Sequence, residues 1–350
     1  LIAEPLLLSL ITTAIVIFVL RRSAFASSSL DQPNHRSLHH QPVPRIGGIS
    51  MAIAVGAVAY LLAGTGTFGT PLSAATILFF ISALDDRNGL PTLIRFAAHM
   101  AMAIMVAAVW IADSPMAENA GHAYGGWLLS PAGIILMVVT LCWMSNLFNF
   151  MDGANGMAGG MAAVGFAAYS IGANATSATS GLHADMVAIT ASLCGAAIGF
   201  LLFNFPKARV FMGDAGSIPL GFLAAALGIH GTLAGLWEWW FGPMVFSPFI
   251  IDATATLIKR VAQGKNIWQA HREHYYQRLI LSGWSHTKTV LAYYFLMLGS
   301  AISALISQGS ELVRPIALFW VITYALLIFS LEWRFHQDKN DKTKKHPGAK

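Results

Sequence analysis

Charge is scarce in this chain: Asp, Glu, Lys and Arg make up 11% of its 350 residues, where a soluble chain carries roughly 25%. That shortage excludes an ordinary water-soluble domain. Cysteine is scarce too. Cys142 and Cys194, the only two, sit inside apolar runs with no CxxC or Cys/His spacing, which reads as inert buried thiols rather than a disulfide or a metal site. The phosphate-binding pattern GxxxxGK[ST] is missing, which excludes a P-loop nucleotidase. No stretch reads as a separate soluble domain, a long linker or an internal repeat. What is abundant is apolar: 56% of residues are hydrophobic and the mean hydropathy is +0.61. They fall in runs near the ~20 residues that cross a bilayer as a helix.

The expected fold class is therefore all-α, a polytopic membrane helix bundle. About eleven transmembrane helices are expected, near 4–20, 47–65, 68–84, 92–112, 131–149, 156–174, 185–204, 216–235, 239–258, 288–307 and 314–333. Residues 1–335 read as a single integral membrane catalytic domain and 336–350 as a basic, disordered cytoplasmic tail. The first run has Glu4 before it and Arg21-Arg22 after it. A cleaved signal peptide has its basic residues first, so this reads as a permanent span.

The net charge of +5 invites a nucleic-acid reading, which the placement of the charges argues against. Taking the gaps between spans alternately, 20 of the 21 Lys and Arg residues fall on one side, with only Arg314 opposite. Basic residues mark the cytoplasmic side, which places the N-terminus outside and the C-terminus in the cytoplasm.

The unusual polar residues gather in the same cytoplasmic gaps: "HRSLHHQPVPRIGG" (35–48), "LDDRNGL" (84–90), "NLFNFMDGANGMAGG" (146–160), "FPKARVFMGDAGS" (205–217) and "AHREHYYQRL" (270–279). Asp85 and Asp86 close an apolar helix. Carboxylates there oppose the helix dipole by roughly 0.3–1 kcal/mol each, so the pair points to a counter-charge such as a metal ion as readily as to a solvated helix end. Asn146, Asn149 and Asp152 recur every three residues, suiting either inter-helix hydrogen bonds or a polar ligand such as a nucleobase. Asp214 reads as an N-cap or as part of an anion or metal site. His271, His274 and Arg278 share one face if this segment is helical, giving three donors suited to phosphate oxygens. Asp252, two turns inside the ninth span, is an intramembrane acid and a functional candidate by default. Acids, amides and cations at one face suit phosphoryl transfer, which is largely positioning and charge neutralisation. A rival reading is an ion-coupled transporter using intramembrane acids, for which Asp252 is the one pointer. A non-catalytic lipid-binding scaffold is a third.

In family order, "PVPRIGG", "LDD", "NxxNxxDG", "FMGDAGS" and a late histidine motif resemble the polyprenyl-phosphate N-acetylhexosamine-1-phosphate transferases. The resemblance spans essentially the whole chain and is nearest the branch that initiates O-antigen and related surface polysaccharides. It implies transfer of N-acetylhexosamine 1-phosphate from a UDP-sugar (UDP-GlcNAc, UDP-FucNAc or UDP-QuiNAc) to undecaprenyl phosphate, with UMP released. It implies a bacterial inner-membrane enzyme, with a cleft facing the cytoplasm and with a homodimer compatible. It implies Mg2+, for which Mn2+ can substitute, at Asp214, Asp85 and Asp86. Asp85, Asp86, Asp214, His271 and His274 are the implied catalytic residues. His39, Arg45, Asn146, Asn149, Asp152, Asn155, Arg278 and Asp252 are the expected substrate-binding residues. Asn155 stands where the family often has Asp, which weakens an acid role there; the first loop carries His39, His40 and Arg45 where the peptidoglycan branch has a lysine, and the late histidines are not consecutive, which argues against a MurNAc-pentapeptide substrate. Whether transfer is direct or passes through an aspartyl-phosphate is open.

Overall fold

The computed structural model describes residues 1–33, 41–62, 65–112, 127–176, 181–266, 269 and 271–345. The chain forms helices α1 (Ala3–Leu20), α2 (Ala24–Ser28), α3 (Gly47–Leu62), α4 (Thr65–Asn88), α5 (Thr92–Ala112), α6 (Pro131–Met151), α7 (Met157–Ala175), α8 (Gly181–Asn204), α9 (Asp214–Leu233), α10 (Phe241–Val245), α11 (Ser247–Ala262), α12 (Tyr275–Leu281), α13 (His286–Ser307) and α14 (Val313–Lys345). The only strands among the described residues are the antiparallel pair β1 (Leu30–Asp31) and β2 (Val43–Pro44).

Among the described residues, seven helices are long and apolar enough to cross a membrane: α1, α5, α6, α9, α13, residues His183–Asn204 of α8 and residues Val313–Gln337 of α14. This is a multi-pass, all-α membrane protein. The other four expected spans fall on α3, α4, α7 and the pair α10–α11. The ninth is broken, because Pro248 has no N–H to continue the ladder. Ser247 Oγ donates instead to the Met244 carbonyl at 2.8 Å. Helix α14 runs to Lys345, so ten residues of the segment assigned to the tail are helical.

Helix α9 is the centre of the bundle, packed against α4 on one side and α6 on another. Almost all of it is buried, and its small residues let neighbours approach. A Cβ at Gly221 would lie 2.2 Å from the Met144 carbonyl oxygen of α6. This packing brings the polar end of α9 against the polar ends of α4 and α6.

Candidate active site

Successive residues on a helix point about 100° apart, so Asp85 and Asp86 diverge. Helix α4 ends at Gly89, whose φ of 66° is the left-handed stop that glycine adopts freely. The chain then turns so that the Leu90 N–H donates to Asp85 Oδ1 at 2.6 Å. Arg95, one turn into α5, donates to Asp85 Oδ2 at 3.0 Å. Asp86 points the other way. It accepts from Arg45 Nη1 at 3.0 Å, the Ala215 N–H at 3.0 Å and the Asp214 N–H at 3.3 Å. The unfavourable C-terminal position on α4 is thus offset by two arginines and by the positive N-terminus of α9.

Arg45 reaches this point because its segment is laced to the one before α9. Phe211 N donates to Pro44 O at 2.9 Å, Gly47 N to Phe211 O at 2.9 Å and Gly48 N to Met212 O at 3.0 Å. Arg45 Nη2 also binds Asp31 Oδ1 at 2.6 Å. Between the lacing and α9 sits Gly213, at φ 72°. A Cβ there would lie 2.8 Å from Asp86 Oδ2. His39, expected in this loop, lies outside the described residues.

From α6, Asn149 Nδ2 donates to Asp214 Oδ1 at 2.7 Å and to Ser217 Oγ at 3.2 Å. Asn146 Nδ2 donates to the Cys142 carbonyl at 2.7 Å and lies 3.3 Å from His99 Nδ1. Asp214 opens α9, with Gly213 as its cap residue, and its Oδ2 is 3.8 Å from Arg95 Nη1. Asp152, just past α6, makes no hydrogen bond or ion pair with a described side chain. Asn155 Nδ2 donates to the Pro206 carbonyl at 3.2 Å. Burial, and then the Asp214 and Asp86 carboxylates facing it, hold the Asp152 pKa well above the ordinary carboxylate range. Asp86 is also raised, by burial, against the opposing pull of its N–H donors and Arg45.

Most of these residues line one cleft of about 700 Å³, whereas Asp85 and Asp86 do not. Arg45, Arg95, Asn146, Asn149, Asp152, Asn155, Asp214, His271 and His274 all face it. Its other end is an apolar wall along α5 and α6, with Phe96, Met100, Val139 and Trp143. The sequence reading had counted Arg95 only as a topological charge. It had missed Asn204, whose side chain accepts from Gly156 N at 2.5 Å and donates to the Val210 carbonyl at 2.8 Å. The ten-residue spacing from Asp85 to Arg95 was the available signal for the first. A lone amide at the end of a helix offered none for the second.

The late motif does not form the expected stripe. Helix α12 starts at Tyr275 with His274 as its cap residue, so His271 lies on the loop before it. The two imidazoles are 5.0 Å apart, and His274 stacks on Phe150 at 5.7 Å. Burial, followed by His274 and Arg260, lowers the His271 pKa to about 4. Arg278 turns away from the cleft, to Glu332 at 2.5 Å and over the Phe335 ring at 4.0 Å. Asp252 is 4% exposed and does not line the cleft. Four donors within the protein surround it, the Tyr275 and Tyr276 N–H groups and the Thr256 and Tyr293 hydroxyls, and His274 Nδ1 lies 3.5 Å from Oδ1. The geometry of this structure thus supports neither a substrate contact for Arg278 and Asp252 nor a coupling-ion role for Asp252.

No group of three or more His, Cys, Asp or Glu among the described residues is arranged to hold a metal ion. Asp85 and Asp86 are each hydrogen-bonded to an arginine at 3.0 Å, and neither lines the cleft. Asp214 and Asp152 remain as oxygen donors on the cleft, the second without a partner among the described side chains. That set fits magnesium, which takes one or two protein carboxylates and completes its shell with water and substrate phosphates.

The sequence profile of glycosyl transferase family 4 matches residues 69–232, which carry the acid pair, the amide stripe and Asp214. The chain is 30% identical over 317 residues to the decaprenyl-phosphate N-acetylglucosaminephosphotransferase of Mycobacterium tuberculosis, covering 81% of this chain and 78% of that one. It is 28% identical over 333 residues to a Bacillus subtilis protein named "Probable undecaprenyl-phosphate N-acetylglucosaminyl 1-phosphate transferase", covering 92% and 88%. It is 27% identical over 332 residues to the undecaprenyl-phosphate alpha-N-acetylglucosaminyl 1-phosphate transferase of Yersinia pestis, covering 90% and 86%. A match of this length to sugar-phosphate transferases, on a chain whose acids and amides converge at one end of a membrane bundle, makes the protein an enzyme of the polyprenyl-phosphate hexosamine-1-phosphate transferase family.

Proposed function

We propose that the enzyme transfers N-acetylhexosamine 1-phosphate from a UDP-sugar to undecaprenyl phosphate, at the cytoplasmic face of a bacterial inner membrane. The products are undecaprenyl-pyrophosphoryl-sugar and UMP, and the step initiates O-antigen or a related surface polysaccharide. The observation that carries this reading is the two-ended cleft, with acids, amides and arginines at one end and an apolar wall along α5 and α6 at the other. A substrate that is half phosphate and half hydrocarbon matches both ends.

The apolar wall receives the first isoprene units and brings the lipid phosphate to Arg95, where wall and acid cluster meet. Arg95 and Arg45 supply forked, charge-assisted donors to phosphate oxygens. A monoester phosphate has a second pKa near 6, so a dianionic oxygen attacks without a dedicated base. It forms a bond to the β-phosphorus of the UDP-sugar. The bond from that phosphorus to the bridging oxygen breaks, and UMP leaves with the electron pair. Asn149 orients the Asp214 carboxylate through Oδ1, and Oδ2 lies 3.8 Å from Arg95 Nη1. Asp214 and Asp152 would hold Mg2+, or Mn2+ in its place, which when bound neutralises charge on the pyrophosphate. His271, held neutral, and His274 line the same cleft and bind the pyrophosphate oxygens.

The test is direct. Purified protein, Mg2+, undecaprenyl phosphate and labelled UDP-GlcNAc, UDP-FucNAc and UDP-QuiNAc are incubated together. We expect label in the lipid fraction and stoichiometric UMP for at least one sugar. No label and no UMP with any of the three would remove this reading.

A further inference from the structure

Asp252 is buried in α11 away from the cleft, yet it is among the most heavily engaged side chains in the protein. Its Oδ1 accepts the Tyr275 N–H at 2.9 Å and the Thr256 hydroxyl at 3.3 Å. Its Oδ2 accepts the Tyr276 N–H at 3.1 Å and the Tyr293 hydroxyl of α13. His274 Nδ1 lies 3.5 Å from Oδ1. The preceding N–H, that of His274, is taken by Gln277 Oε1 at 3.3 Å. Three consecutive donors at the start of α12 are therefore satisfied, two of them by one carboxylate from another helix.

Helix α12 has seven residues, too few to hold its own ends in place. Its start is set by a local capping box, in which Gln277 takes the His274 N–H, together with the Asp252 carboxylate from outside. Helix α12 is also tied down beyond its first turn: the Tyr276 hydroxyl donates to the Phe150 carbonyl at 2.8 Å. A Cβ at Gly153 would lie 2.2 Å from that hydroxyl oxygen. His274 sits between the two anchors, its ring on the cleft and stacked on Phe150. A buried carboxylate is expensive to desolvate, and a fold that needed only packing here has cheaper solutions. A carboxylate offers two oxygens that grip two successive N–H groups and fix the turn to a fraction of an ångström.

We propose that Asp252 is a positioning residue for the transfer reaction: by gripping the Tyr275 and Tyr276 N–H groups from within the bundle it helps set where α12 begins, and so holds the His274 imidazole on the cleft without touching substrate. The proposal rests on the transferase reading above, and His274 is the residue through which Asp252 acts.

The experiment is a double-mutant cycle on the full-length protein in detergent with Mg2+, undecaprenyl phosphate and the accepted UDP-sugar. Wild-type protein inactive with every sugar would defeat the transferase reading, a result distinct from any below. We expect Asp252→Asn to lower kcat by about 100-fold, as for a misplaced catalytic group, with KM for the UDP-sugar changing by no more than about threefold. We expect Asp252→Asn in a His274→Gln background to cost no more than about threefold further, because residues acting as one unit are not additive. Turnover of Asp252→Asn close to wild type, or losses that multiply in the double variant, would overturn the proposal. If Asp252→Asn is not recovered folded, Tyr293→Phe replaces it, since it removes one donor and leaves the carboxylate. A lowered kcat that vanishes in the His274→Gln background then supports the proposal, and unchanged kcat or independent losses defeat it.

Discussion

The Asp86 carboxylate, at the end of α4, accepts the Ala215 N–H at the start of α9 at 3.0 Å. One side chain therefore closes two helices, its charge lying where the dipole of α9 is positive. The neighbouring Asp214 extends from the same turn into the cleft, so the link from α4 holds the first residue of the site.

Asp86→Ala leaves the Asp214 and Ala215 N–H groups without their side-chain acceptor and Arg45 with Asp31 as its remaining carboxylate. An unsatisfied buried polar group costs about 1–3 kcal/mol. We expect a lower melting temperature in detergent and loss of turnover together. Asp86→Asn, which keeps an acceptor oxygen, should recover most of the melting temperature and little of the turnover.

Asp214→Asn and Asp152→Asn should each abolish turnover in protein that still folds, and chelation of Mg2+ should do the same to wild type, with Mn2+ restoring activity. The stability of the two states separates them further. Asp152 is held at a raised pKa, so its contribution to stability is full below the ordinary carboxylate pKa near 4 and is lost as pH rises through the raised value. Asp152→Asn removes that loss. We expect the ligand-free variant to melt a few degrees higher than wild type at neutral pH, the usual exchange of stability for function at a strained site. A lower melting temperature would contradict the reading of Asp152 as an unpaired ligand.

The pH profile of turnover should follow the same acids. Asp86 and Asp152 keep their protons above the ordinary carboxylate range, so turnover should rise with pH along a limb lying above about 4. His271, with its pKa near 4, is neutral across the range from 5 to 8. Replacing it with Gln should lower the height of the profile and leave the limb in place.

Arg95→Ala removes the guanidinium shared between Asp85 at 3.0 Å and Asp214 at 3.8 Å. We expect a loss of about 100-fold or more in turnover, with Arg95→Lys recovering little because an ammonium lacks the planar fork that a guanidinium offers to phosphate. Initial rates with saturating UDP-sugar measure this.

Arg278→Ala should behave differently. Arg278 binds Glu332 and covers Phe335, so its removal should loosen α14 and lower the melting temperature while KM for the UDP-sugar stays within about twofold.

The contrast between Arg278 and Asp86 marks how far the sequence could be read. The acid pair was legible because carboxylates at the end of an apolar helix are unfavourable on local grounds alone. That Asp85 and Asp86 turn to different arginines was not, because Arg45 lies 41 residues from Asp86 and the Ala215 N–H 129 residues away. Periodicity located most of the helices. It failed over "HREHYYQR", where a spacing of three, four and seven mimicked a helical face. The helix begins only at Tyr275, where a local capping box from Gln277 is joined by Asp252 taking the Tyr275 and Tyr276 N–H groups, a tertiary contact that periodicity does not record. The broken ninth span was signalled by Pro248, and the apolar run around it masked the signal.

The lacing of Pro44–Gly48 to Phe211–Met212 has a consequence for engineering. It ties the first loop to the rigid end of α9, whereas the segment bearing His271 and His274 reaches the cleft from another part of the bundle, held by Asp252 and Phe150. The two walls are separable modules. Exchanging residues 269–281 between relatives, while leaving the lacing and the acids of α4 and α9 untouched, tests whether that wall of the cleft can be replaced as a unit.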